Sequence, residues 1–186
     1  MITHTDPVRI VGLDLSLCSS GMSDGVRHQV FRTTNADRIE RRLFDIERAV
    51  IAFCGPVADQ PQCSLAVIEG GSLRSPGQAA EELAALRMIV RKRLWRRGIP
   101  FAVVPPSTLK LFTTGRGNAS KDDMVAAVDG AHGTDFASVQ KSHGRYDLAD
   151  SAALWAMGAS RAGLLDPCAT ARKALSSVSW PDLVSD

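Results

Sequence analysis

The sequence predicts an α/β domain built on a mixed five-stranded sheet, three antiparallel N-terminal strands plus two parallel ones, with helices on both faces. Three observations carry this. Val8–Leu13 (VRIVGL) and Leu65–Glu69 (LAVIE) are apolar runs of buried-strand length, and they lead to Asp14 and end on Glu69. Asp24-Gly25, between Ser20–Ser23 and Gln29–Thr33, is a hairpin turn, so the chain opens strand, turn, strand, turn, strand. After that, helical and strand periods alternate, which is how chains place parallel strands beside crossover helices.

Between 36 and 53, Ile39, Leu43, Ile46, Val50 and Phe53 recur at spacings of 4, 3, 4 and 3, an amphipathic helix. A loop with Pro and Gly (55–63) leads to the LAVIE strand, and a second loop rich in Gly, Ser and Pro (70–77) leads to a helix over 78–97. Its inner stripe is Ala79, Leu83, Leu86, Val90 and Leu94, with Trp95 expected to be partly buried and Gly98 as the stop. Phe101–Val104 is the fifth strand, closed by Pro105-Pro106. Ser107–Phe112 reads as a helical turn and Thr113–Ala119 as a flexible loop. Ser120 is an N-cap with Asp123 as its capping-box partner, for a helix to about 131. A polar, mobile stretch (133–145) precedes a last helix over 146–162. The domain is expected to span 1–166, with 167–186 as a tail that is either disordered or packed on it.

Composition is that of a globular chain: 186 residues, 45% hydrophobic and 23% charged, with a net charge of +2 that does not announce a nucleic-acid binder. Arginine and lysine are nonetheless clustered, at Arg87, Arg91, Lys92, Arg93, Arg96 and Arg97 and at Arg38, Arg41, Arg42 and Arg48. Such clusters contact phosphates in some proteins and are solvated helix faces in more. The cysteines, Cys18, Cys54, Cys63 and Cys168, have no zinc spacing and read as reduced. No signal segment or membrane span is evident, so a cytoplasmic protein is expected.

A carboxylate at the end of a buried strand sits at the rim of a sheet, where α/β folds bind ligands. Asp14 or Glu69 alone reads as well as a turn former or cap partner. The last helix changes the balance. LADSAALWAMGAS, from Leu148 to Ser160, has a single charge, Asp150, and almost no solvent side. Asp147 and Asp150 project from one face of its first turn. Two carboxylates in a poorly hydrated place must take up protons or bind a cation. The helix N-terminus offsets only about 0.3–1 kcal/mol per charge, against the several kcal/mol of an unpaired buried ion. Oxygen-only ligands suit Mg²⁺, with Mn²⁺ as substitute, rather than zinc. Four acids at one site can hold two such ions, the arrangement that clamps both oxygens of an in-line phosphoryl displacement.

Taken in order, the motifs resemble those of RuvC-type Holliday junction resolvases of the RNase H-like superfamily. IVGLDLSLCSSGMS is similar to their opening strand-turn-strand, LAVIEGG to their second acidic strand, and FAVVPPSTLKLFTTGRGNASKDDMV to the segment with a Gly-rich loop and a lysine. YDLADSAALWA is similar to their final Asp-x-x-Asp helix. The likeness covers 8–162, and its PPSTLK…GRGNASK part is closest to bacteriophage resolvases, which suggests a phage origin and the host cytoplasm. The resemblance implies an RNase H-like fold, a homodimer acting on branched DNA, and Mg²⁺-dependent cleavage leaving 5′-phosphate and 3′-hydroxyl ends. By it, Asp14, Glu69, Asp147 and Asp150 are the metal ligands. Lys121 corresponds to the lysine near the scissile phosphate, where a point charge supports developing negative charge; without the family it reads as a solvated first-turn residue.

Two departures stand out. Bacterial members carry an aromatic wedge shortly after the second acid; here the stretch is Gly70-Gly71-Ser72-Leu73, with Leu73 as the apolar candidate. The 133–145 loop is long and polar, and its His143 is either a metal-site neighbour or an exposed histidine. Ser72, Leu73, Arg74, Lys110, Arg116, Lys141 and Arg145 are the candidate DNA contacts. GRGNASKDD lacks the elements of a phosphate loop. The chain is also too short for the paired domains of an actin-like ATPase, so no nucleotide cofactor is expected. The expected activity is resolution of four-way junctions by paired nicks. The alternatives are a less selective branched-DNA or flap nuclease and a junction-binding architectural protein with weak cleavage.

Overall fold

The computed structural model describes residues 8–56, 61–71 and 77–182. Strands β1 (Ile10–Asp14), β2 (Ser19–Ser23) and β3 (His28–Arg32) form an antiparallel meander. Helix α1 (Ile39–Cys54) leads to β4 (Leu65–Glu69), which runs parallel to β1, and α2 (Gln78–Arg96) leads to β5 (Phe101–Val104), parallel to β4. The five-stranded sheet has the order β3-β2-β1-β4-β5. The remaining helices are α3 (Pro106–Thr114), α4 (Lys121–His132), α5 (Arg145–Arg161) and α6 (Ala169–Ser176).

Strand side chains alternate between two cores, as a period of two requires. Val11, Leu13, Ala66 and Ile68 pack under α1 and α2 with Ile46, Val50, Leu86, Val90 and Leu94. Ile10, Leu65, Val67, Ala102 and Val104 pack on the opposite face with Leu109, Met124, Ala152, Ala153, Leu154 and Met157. The predicted mixed sheet with helices on both faces is therefore what the chain forms. Ser120 accepts from the Asp123 backbone N–H and Asp123 accepts from that of Ser120, the capping box expected at α4.

Several boundaries differ from the sequence reading, each for a local reason. The β2–β3 connection is four residues long because Asp24, not a two-residue turn, organises it. Its carboxylate accepts the backbone N–H groups of Val26 and Arg27 and pairs with the guanidinium groups of Arg9 and Arg27. α3 extends through Thr114, into the stretch expected as loop, and stops at Gly115, which takes the left-handed conformation (φ 76°). The polar stretch 133–145 is ordered by two short 3₁₀ turns, Phe136–Ser138 and Lys141–His143. Asp129 accepts from the backbone of Phe136 and Ala137 and steadies the first of them. Beyond 166 the chain forms α6, whose Ala174 is buried in the second core.

α2 departs most on its solvent side. Leu86, Val90 and Leu94 are buried as its inner stripe, but Ala79 in the first turn is exposed. Trp95 is 73% exposed rather than partly buried, and Met88 two turns earlier is 57% exposed. Of the cysteines, Cys54 and Cys63 are buried, Cys18 and Cys168 are exposed, and all four are free. No helix among the described residues is long and apolar enough to cross a membrane.

Candidate active site

α5 lies unusually close to the sheet, and three glycines allow it. A Cβ on Gly12 of β1 would stand 2.0 Å from the Ser151 carbonyl oxygen, and one on Gly21 of β2 would stand 2.0 Å from that of Asp147. From the helix side, a Cβ on Gly158 would meet the side chains of Ile10 and Val67 at 2.6 and 2.7 Å. Ala149, Ala152, Ala153, Ala156 and Ala159 are all buried along the same helix. Close packing of backbone on backbone is what small residues provide.

This approach sets the first turn of α5 over the carboxyl ends of β1 and β4. On β1 the α5 face carries Ile10, Gly12 and Asp14; on β4 it carries Leu65, Val67 and Glu69. The parallel register pairs Leu13 with Ile68, so Asp14 and Glu69 leave neighbouring strands at the same level and on the same side. Asp14 is buried, and Glu69, Asp147 and Asp150 are half-buried. The four acids foreseen from the sequence, spread over more than 130 residues of chain, thus share one pocket.

Electrostatics show how closely they are coupled. Burial, then repulsion from Glu69, Asp150 and Asp147, pushes the Asp14 carboxyl well above the usual carboxylate range. Glu69 is also raised by burial, though Arg87, the hydrogen bond from Asp14, Lys121 and Lys110 hold it back. Burial and the charge of Glu69 push Asp150 up to about 7. Asp147 accepts a hydrogen bond from the Ser19 hydroxyl at 2.5 Å. The pocket therefore holds more negative charge than its environment stabilises, and the excess can be discharged by protons or by a cation.

The donor set is all oxygen, which fits a hard divalent ion. Among the described residues no three of these side chains stand in ready-made ligand geometry, so closing on an ion requires rotation of the carboxylates. The lysine foreseen from the sequence faces this pocket. Lys121, exposed at the start of α4, lowers the proton affinity of Asp14, Glu69 and Asp150, and its ammonium lies 5.1 Å from the Tyr146 ring centroid. Lys110 of α3 acts on Glu69 and Asp150.

The other candidate contacts divide. Arg116 pairs with Asp123 at 3.2 Å, and Lys141 lies 3.9 Å from Asp122 and above the Tyr146 ring. Arg145 donates from Nε to the Val139 carbonyl at 2.6 Å, a structural tie. His143 is exposed on the second 3₁₀ turn. Ser72, Leu73 and Arg74 lie outside the described residues.

Sequence reasoning missed Ser19, Arg87 and Tyr146 as site residues. Arg87 belongs by sequence to a basic cluster, yet it reaches back toward Glu69, with Nη1 placed 3.2 Å from where a Cβ on Gly71 would be. Nothing in a Ser-Ser pair marks one hydroxyl as the partner of an acid 128 residues away. The basic clusters themselves are partly occupied. Arg38, Arg41 and Arg93 pair with Glu40, Asp45 and Glu47, while Arg42 is buried against Thr33 and the Leu17 carbonyl.

No protein-family model matches this chain, and no curated protein is similar to it. Solved structures are. Thermus thermophilus RuvC superposes with a TM-score of 0.63 at 19% identity, over 85% of this chain and 98% of that one. T. thermophilus RuvC in complex with its Holliday junction substrate gives 0.67 at 18% identity, over 87% and 99%. The yeast mitochondrial Holliday junction resolvase Ydc2 gives 0.55 at 13% identity, over 92% and 81%. With its strand order, its crossovers and its α5 laid across the carboxyl ends of β1 and β4, this chain has the RNase H-like fold of the RuvC resolvases.

Proposed function

We propose that this protein is a metal-dependent, structure-selective DNA endonuclease that resolves four-way junctions by paired nicks, leaving 5′-phosphate and 3′-hydroxyl ends. The observation that carries the reading is the convergence of Asp14, Glu69, Asp147 and Asp150 in one under-neutralised pocket, on a fold shared with a protein solved in complex with a Holliday junction. The same four acids are the proposed ligands of two Mg²⁺ ions, for which Mn²⁺ can substitute. Such ions supply an activated water and a clamp on the phosphodiester oxygens.

The chain's own residues do the rest. Asp14 and Glu69 hold the pocket at the sheet edge, and Asp147 and Asp150 close it from α5. Lys121 supports the phosphate as charge develops on it, and Lys110 adds a second positive charge acting on Glu69 and Asp150. Arg116 and Lys141, on the loops around this end of the molecule, are the further proposed phosphate contacts. A homodimer would set two such pockets against two strands, and the exposed Met88 and Trp95 on α2 make that helix its proposed seam.

A gel assay tests this reading with labelled four-way junction, flap and linear duplex, each with Mg²⁺ and with EDTA. Paired symmetric nicks in the junction, dependent on Mg²⁺, are expected. Preferential cutting of flaps would assign the less selective nuclease instead, and retardation without any Mg²⁺-dependent product would assign an architectural protein. Asp14→Asn is expected to lower cleavage by more than about 10³-fold while junction binding stays near wild type. Normal cutting by that variant would mean the site is elsewhere.

A further inference from the structure

Among the described residues, Asp147 is the one of the four acids that accepts a hydrogen bond from a side-chain hydroxyl. Ser19 Oγ donates to its Oδ2 at 2.5 Å. The cap residue of α5 is Gly144, in the left-handed conformation (φ 89°), and no side chain caps the helix.

The other end of the bond sits in a turn and strand held by hydrogen bonds. Ser20 Oγ donates to the Ser16 carbonyl at 2.8 Å and accepts from the Ser16 N–H at 3.1 Å, closing the β1–β2 turn on itself. The Leu17 carbonyl at the tip of the turn accepts from the Thr33 hydroxyl and from Arg42 Nη2. Ser19 itself is paired in register with Arg32 of β3. The absence of a side chain on Gly21 lets the backbone of Asp147 sit directly on β2, two residues from this hydroxyl.

We propose that Ser19 is a positioning residue of the acidic site. Its hydroxyl fixes the Asp147 carboxylate through one oxygen and leaves the other for a divalent cation. The inference rests on the reading of the four acids as metal ligands. A neutral hydroxyl suits this role. A lysine or arginine there would cancel the charge that attracts the ion, whereas a serine orients the carboxylate and leaves that charge in place. Partners of this kind orient metal ligands elsewhere, and losing one lowers metal affinity or activity by roughly 10- to 100-fold.

The test is Mn²⁺ binding to the metal-free protein, followed by the loss of the free-ion electron paramagnetic resonance signal, for wild type, Ser19→Ala, Ser19→Thr and Asp147→Asn. Ser19→Ala is expected to weaken Mn²⁺ binding roughly 10-fold. It should raise the Mg²⁺ concentration for half-maximal cleavage by a similar factor, with KM for the junction unchanged. Ser19→Thr, which keeps the hydroxyl, should stay near wild type. Wild-type Mn²⁺ affinity in Ser19→Ala overturns the inference, even if the metal-free variant melts at a lower temperature, and so does equal weakening by Ala and Thr. If Asp147→Asn weakens Mn²⁺ binding and Ser19→Ala does not, only the positioning role fails. If Asp147→Asn leaves Mn²⁺ binding unchanged, the assignment of the acids as ligands fails, and the role of Ser19 with it.

Discussion

The two faces of the sheet are covered by different kinds of helix. α1 and α2 are amphipathic: large aliphatic side chains point inward, and arginines on the outside either pair with acids or stand in solvent. α5 has no such division. It is buried on most of its circumference, packs through glycine and alanine, and carries its acids at the one end that reaches the edge of the sheet. The first face tolerates imprecision, because aliphatic side chains of several shapes fill a core. The second does not, because backbone rests on backbone, and that precision places four carboxylates from three elements in one pocket.

The largest expected effect breaks the second face. Gly12→Val puts side-chain atoms where the Ser151 carbonyl and the Trp155 amide now lie, so α5 must move away. Urea unfolding should show a loss of more than about 3 kcal/mol, beyond the usual range for overpacking because backbone, not side chain, is displaced. A loss below about 1 kcal/mol would mean that the glycine contact is not what fixes the helix. On the first face, Leu86→Ala leaves a cavity beside Val90 and Leu94 and should cost about 2–3 kcal/mol, without displacing a helix. Divalent-metal binding, measured alongside, should fall for Gly12→Val and persist for Leu86→Ala.

A smaller effect separates the faces by pH. Asp14, Glu69 and Asp150 all have raised carboxyl affinities in the folded state. A raised acid stabilises the fold below its unfolded value, and that contribution is lost as pH rises through the folded one. For Asp150 the window runs from about 4 to about 7. In EDTA, stability should therefore decline between pH 5 and 8 by about 2 kcal/mol, a discounted share of the full linkage because Asp150 is half-buried. Mg²⁺ should restore the loss at pH 8, and Asp150→Asn should flatten the slope. A pH-independent stability in EDTA would contradict the charge imbalance of the pocket. The smallest effect belongs to the arginine-rich surface: Arg41→Ala breaks the exposed pair with Asp45 and should change stability by less than about 0.5 kcal/mol.

What could be read from the sequence followed the same division. Apolar runs, turn residues and a period of 3.6 located the strands and most of the core stripes of α1 and α2, since those patterns depend on short stretches of chain. Asp14 and Glu69 were legible as the ends of apolar runs, and Asp147 and Asp150 as the acids in the first turn of a helix that is otherwise nearly uncharged up to Arg161. The exposure of Ala79 and Trp95 was not, because it depends on what packs against each end and face of α2. Nor was the order in 133–145, which Asp129 imposes from a neighbouring helix.

The sequence by itself determined the order of elements and the two-faced sheet, since local periodicity is a property of short stretches. Only the tertiary structure decided that Gly12 and Gly21 admit α5, that Arg87 and Lys110 lean toward Glu69, and that Ser19 holds Asp147. Those are meetings between residues far apart in the chain. Sequence can name the groups that take part, but only the packed backbone sets the distances between them.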